Sequence, residues 1–321
     1  MTPFDLRDAP APTVRHDLRD LLATLPRIDA DPVPLGDVRA RLGERPVWDA
    51  ATRTLLWVDV ESGLVHRWPD GDPARALAPY DAGSPVGIAW PTASGEVLVA
   101  ATAGLRTLTG PVPHPAALPP GHRWNDGATD PAGRLWLTDM PIADATAPGA
   151  VRRLTPESCE VVLTDITCGN GIQFSPDGRW MYVTDTVRRV LYRLPYDPAS
   201  GTPGAPEPWF ALVPDGPMPD GTTVDADGAL WVAVWGAGTV LRLDPAGRAV
   251  DAIALPVPST TCLGIGPDRV GWVTTAGAPD SRLGDPASSE GIGAADGAGA
   301  VWRVRLPAGV RDVPVVSVAG A

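Results

Sequence analysis

The chain has 321 residues, of which 44% are hydrophobic and 20% charged, with a formal net charge of −12. That acidity argues against a nucleic-acid partner, because phosphate neutralisation needs clustered basic side chains; all 26 basic residues are Arg, and no Lys occurs. No apolar run approaches the ~20 residues of a membrane span, and the acidic start MTPFDLRDAP lacks the apolar stretch of a secretory signal.

Residues 1–37 carry no repeat and many prolines. Within them Leu18, Leu21, Leu22 and Leu25 fall at i, i+3, i+4 and i+7. This spacing predicts a short helix over His16 to Leu25 that docks on the main domain, with a lid or an oligomer contact as the alternative. From about Val38 six units align, with starts near Pro46, Val86, Asn125, Asn170, Pro219 and Thr261. A spacing of roughly forty to fifty residues is the period of four-stranded propeller blades. The units share one order, as in LLWVDVESGLVHRW, RWMYVTDTVRRVLYRL and ALWVAVWGAGTVLRL. Their period-two alternation suits half-buried antiparallel strands. The expectation is an all-β chain, a six-bladed β-propeller over residues 38–321 behind an N-terminal extension. A strand near Val38 to Arg41 is expected to close the last sheet, and the Gly-, Asp- and Ser-rich stretch from Ala276 to Ala300 reads as a long loop.

The D-x-x-G and P-D-G turns place Asp130, Asp177, Asp227 and Asp244 as hairpin-turn residues. Asp225-Ala226-Asp227-Gly228 resembles the start of a calcium loop, but Gly236 stands where an EF-hand needs Glu. A Walker loop is impossible without Lys, no G-x-S-x-G elbow occurs, and the four histidines lack ligand spacing. Cys159, Cys168 and Cys262 are an odd number without C-x-x-C spacing, which suits unpaired thiols in a reducing cytoplasm. What remains are polar residues before glycine at the unit starts: Asn125-Asp126-Gly127, Asn170-Gly171 and Pro219-Asp220-Gly221, with Glu44 in the first unit. Each alone is an ordinary turn former; in a ring they converge on the axis. Two carboxylates about 4 Å apart repel by ~1 kcal/mol in water and ~4 kcal/mol at an effective dielectric of 20. Two carboxylates with one amide oxygen therefore match a divalent cation.

The stretches L-G-E-x-P-V-W, R-x-N-D-G-x-x-D-x-x-G-R-L-W, N-G-I-x-F-S-P-D-G and P-D-G-x-x-V-D-x-x-G-x-L-W-V-A run in order from about Arg41 to Leu306. In these the chain resembles the gluconolactonase family, also called the senescence marker protein or regucalcin family. The resemblance implies a six-bladed propeller that hydrolyses sugar lactones with one divalent cation at its axis. By position it implies Glu44, Asn170 and Asp220 as metal ligands, Asp220 also as the base or water-orienting group, and Arg123 and Asn125 as substrate contacts. Oxygen-only ligands favour Ca²⁺, with Zn²⁺, Mg²⁺ or Mn²⁺ as alternatives. Three positions depart from the family pattern. Arg45 replaces a usual Gly in Leu42-Gly43-Glu44-Arg45-Pro46, Thr138-Asp139 replaces the usual residues before Met140, and Ala143, beside Asp144, stands where an acidic residue would touch substrate. Asp139 is then the expected replacement acceptor, and glucono-δ-lactone an expected poor substrate. Two other readings stay open: the same centre recruited to isomerise, cyclise or open a non-sugar metabolite, and a non-catalytic ligand-binding propeller. In every case the expected partner is a small molecule, not a membrane or nucleic acid.

Overall fold

The computed structural model describes residues 2–142, 148–277 and 296–319. Six sheets succeed one another along the chain. Their innermost strands are Gly43–Asp49, Val86–Pro91, His122–Thr129, Gly169–Phe174, Met218–Val224 and Thr260–Ile265. Each innermost strand packs against the next, and the sixth against the first, so the sheets close into a ring. This is the six-bladed β-propeller that the repeat predicts, and each predicted unit start lies on one of these strands.

The second strand of each blade departs from simple alternation. Thr54–Asp59, Leu135–Pro141 and Leu230–Trp235 are buried almost throughout. A neighbouring blade covers each face of these strands, so both sets of alternating side chains are apolar, as in a fully covered sheet. Trp136, with no exposed surface, fills such an interface by meeting Phe174 and Tyr196 of the next blade edge-on, at 5.9 Å each. The hairpin turns are held as expected by Asp130 and Asp244, whose Oδ1 atoms each accept two backbone N–H groups. In the fifth blade Asp225 does this in place of Asp227, accepting from Asp227 N at 3.1 Å and Ala229 N at 2.9 Å.

The N-terminal segment runs around the outside of the ring. Phe4 and Asp5 pair in parallel with Leu163 and Thr164 on the outer strand of blade 3. His16 then bridges Leu212 beside blade 4, and Arg27 bridges Ala252 on the outer strand of blade 5. Finally Val33–Leu35 pairs antiparallel with Val301–Arg305 and completes blade 6. The ring is thus closed by Val33–Leu35 and not by Val38 to Arg41. Residues 36–42 instead carry the chain from the rim to the axis, a run that can span up to ~25 Å. Pro34 lies in the closing strand, where an edge position tolerates its missing N–H.

Between these contacts the helix forms as Leu18–Thr24. Asp17 caps it by accepting from Arg19 N and Asp20 N. Leu18 is buried, and Leu21, Leu22 and Leu25 pack beside it against Tyr182, Phe210, Leu230 and Leu241, so the apolar face docks as its spacing predicts. The C-terminal tail crosses the opposite side of the ring, where the innermost strands end. Ala226 N donates to Arg311 O, Trp90 Nε1 to Val316 O and Ala319 N to Gly133 O, tying the tail to blades 5, 2 and 3. None of the three cysteines is in a disulfide, and no helix among the described residues is long and apolar enough to cross a membrane. Of the long loop expected over 276–300, residues 278–295 lie outside the described residues.

Candidate metal centre

Each innermost strand breaks register near its start: between Glu44 and Val47, Val86 and Ile88, Trp124 and Gly127, Asn170 and Gln173, Pro219 and Thr222, and Thr260 and Cys262. Such bulges bend a strand and re-aim its side chains. Glu44, Asn125, Asn170 and Asp220 all stand at these breaks. Their positions are not equivalent, however. Glu44, Trp124, Asn170 and Pro219 pair in the same way with the second strand, so Asn125 and Asp220 lie one residue further on, level with Arg45 and Gly171. The single repeated point of the sequence resolves into two adjacent positions of one bulge. Arg45 and Gly171 take φ of 45° and 59° there.

Glu44 and Asp220 are 9% and 5% exposed. Glu44 Oε2 accepts the backbone N–H of Arg45 at 2.9 Å, and the positive charges of Arg45 and Arg123 act on Glu44, that of Arg123 also on Asp220. Burial pushes the Glu44 carboxyl up to about 8, and the negative charge of Asp126 adds to the effect. Asp220 is driven well above the usual carboxylate range by burial first, then by Glu44 and Asp126. Neighbouring carboxyls in a dry site keep their protons unless a cation takes the protons' place. Asn170, also buried, donates from Nδ2 to Thr186 Oγ1 at 2.9 Å and accepts at Oδ1 from Asn125 Nδ2 at 2.9 Å. One lone pair of that oxygen remains. The two carboxyls and this amide offer oxygen donors only, the kind a hard divalent cation takes. Among the described residues no group of three or more His, Cys, Asp or Glu gathers as a metal cage.

Asp126 plays a different part. Its Oδ1 accepts Gly127 N at 2.7 Å, its Oδ2 accepts Gly171 N at 2.6 Å, and Arg45 Nε lies 3.2 Å from Oδ1. It ties blade 3 to blade 4. Asn125 gives its amide hydrogens to Gly169 O at 2.8 Å and Asn170 Oδ1 at 2.9 Å, while its Oδ1 receives Arg123 Nη1 at 2.6 Å. It is therefore the link between Arg123 and Asn170. Asp139, expected to meet substrate, is 1% exposed. His122 Nδ1 at 2.7 Å and Arg152 Nε at 2.6 Å occupy its two oxygens. Thr138 is wholly buried and donates to Gly169 O at 2.7 Å. Ala143 and Asp144 lie outside the described residues.

Residues 42–277 match the SMP-30/Gluconolactonase/LRE-like region. The chain belongs to this family. The match contains Glu44, Arg123, Asn125, Asn170 and Asp220. Within the gluconolactonase family the chain is similar to pentonolactonase XacC of Haloferax volcanii, at 34% identity over 280 residues covering 85% of this chain and 93% of the other. The 6-deoxy-6-sulfogluconolactonase of Pseudomonas putida is 34% identical over 235 residues, covering 70% and 79%. A solved structure of a calcium-binding protein, regucalcin, from Agrobacterium tumefaciens superposes with a TM-score of 0.78 at 26% identity, covering 92% of this chain and 98% of that one.

Proposed function

We propose that this gluconolactonase-family chain hydrolyses a sugar lactone or related cyclic ester at the axis, with one divalent cation held by Glu44, Asn170 and Asp220. The observation that carries this reading is the pair of buried carboxyls on blades 1 and 5, each raised by burial and by neighbouring negative charge, together with the buried Asn170 amide. When bound, the cation supplies Lewis-acid polarisation of the lactone carbonyl, and oxygen-only donors favour Ca²⁺ over Mg²⁺, Mn²⁺ or Zn²⁺. Asp220 orients the attacking water and takes its proton as oxygen adds to the carbonyl carbon. Arg123 directs its donors at substrate oxygens, and Asn125 fixes both Arg123 and Asn170, so that substrate and ligand set stay in register. Cleavage of the ring C–O bond then returns a proton to the leaving alkoxide and releases a hydroxy acid. Three cysteines outside any disulfide suit the reducing cytoplasm in which such small molecules are handled.

Chelator-stripped protein assayed on aldonolactones and simple γ- and δ-lactones, with and without added Ca²⁺, Mg²⁺, Mn²⁺ or Zn²⁺, tests the proposal. Ring-opened acid is expected only where a cation is present. Full turnover by the stripped protein would refute the metal requirement, and an isomerised or cyclised product in place of the acid would refute hydrolysis.

A further inference from the structure

Arg45 is the most enclosed charge at the axis, 2% exposed, and its side chain touches each of the other blades. Its guanidinium lies 5.5 Å from the centre of the Trp90 ring on blade 2. Nε stands 3.2 Å from Asp126 Oδ1 on blade 3, off line for a hydrogen bond and so an ion pair only. Nη2 donates to Ile172 O of blade 4 at 2.9 Å and Nη1 to Thr222 O of blade 5 at 3.1 Å. Nη1 also reaches Cys262 Sγ of blade 6 at 4.0 Å. From the same residue the backbone N–H holds Glu44 Oε2. One side chain thus lies beneath the candidate ligands and joins the whole ring.

We propose that Arg45 is a positioning residue for the metal centre: it is the fixed cation of the axis, it holds Asp126 out of the ligand set, and it limits the site to one divalent ion. The inference rests on the reading of Glu44, Asn170 and Asp220 as ligands. Glu44, Asp126 and Asp220 weighed against Arg45 and Arg123, both buried at the axis, leave one negative charge, too little to draw in a second divalent ion. Without the guanidinium, the Asp126 carboxylate would lose its ion-pair partner and the carbonyls of Ile172 and Thr222 a donor each, Thr222 O keeping only Gln173 Nε2 at 3.0 Å. They would then form a second all-oxygen set of the kind a hard cation takes. A planar, always-charged fork suits this post, because it serves a carboxylate and two carbonyls at once in a fixed geometry.

The test uses full-length protein and calcium as the probe, with calcium per chain measured after dialysis and melting followed with and without it. Wild type is expected to hold one ion. Arg45→Met keeps the stem and deletes the charge; it is expected to hold two ions and to gain more in melting temperature from calcium than wild type does. R45M/D126N, which removes both charges, and R45K, which keeps the cation, are each expected to return to one ion. R45M with one ion and a wild-type calcium response overturns the proposal. So does R45M that stays unfolded in calcium while R45M/D126N folds, or R45K that holds two ions. A wild type that holds no ion would instead overturn the ligand reading on which the proposal stands.

Discussion

A buried carboxyl beside other carboxyls is at ease either protonated or next to a metal ion, and Glu44 and Asp220 face that choice together. In the metal-free protein the Glu44 carboxyl is raised from 4.5 to about 8, and Asp220 moves in the same direction. Across that window the folded chain binds more protons than the unfolded one, so this stability is present below about 4.5 and lost as pH rises towards about 8. Chelated protein should therefore melt progressively lower over that range, and saturating calcium should flatten the slope; scanning calorimetry with pH as the variable checks it. Asp220→Ala should act in two directions. It removes a ligand, so cation affinity should fall by more than the ~10²-fold typical of lost supporting contacts, and lactone turnover with it. It also removes a buried charge, so the metal-free variant should melt no lower than metal-free wild type at pH 8. Asp139 calls for the opposite pattern. Asp139→Ala leaves the half-buried Arg152 without its carboxylate, which costs up to about 3–5 kcal/mol, while kcat/KM per folded molecule should change little; calorimetry and active-fraction kinetics separate the two. The polar residues before glycine were legible in sequence because their side chains have few other uses at a strand start. The occupation of Asp139 was not, because its partners His122 and Arg152 come from strands on either side and share no local pattern with it.

At the scale of elements, the bulge explains why spacing alone put Asn125, Asn170 and Asp220 at one repeated point although Asn125 and Asp220 lie one residue further along it. A bulge adds a residue to one strand without changing what precedes or follows it in sequence, so Asn170 and Asp220 look equivalent until the pairing shows Asn170 opposite Thr184 but Pro219, not Asp220, opposite Val234. The helix was easier, since four leucines at one helical spacing have one side to bury. Its removal should be felt in stability and not at the axis. Deleting residues 2–32 keeps the closing strand Val33–Leu35 but removes the helix and the pairings to blades 3, 4 and 5. At about 1.5–3 kcal/mol for each fully buried Leu, with only Leu18 fully buried, a loss of several kcal/mol is expected. Calcium per chain should stay as in wild type. An equal melting temperature for the truncated and full-length proteins would contradict the docking; loss of the ion would contradict the independence of the axis.

For the whole molecule, the ring was readable because six similar units allow each blade to confirm the others. The strap around it was not, because its grip on each blade is a pairing of one to three residues, too short to leave a periodic trace. Its order gives it a role in time as well as in space. The strap meets blades 3, 4, 5 and 6 in the order in which the ribosome makes them. Residues 4 and 5 find Leu163 and Thr164 once blade 3 has emerged, His16 finds Leu212 next, Arg27 then finds Ala252, and Val33–Leu35 waits for Val301–Arg305. A chain that leaves the exit tunnel at ~5–20 residues per second can fasten these contacts one after another from its oldest end. Each newly made blade then has its outer edge covered in turn, and the last contact to form is the one that locks the circle.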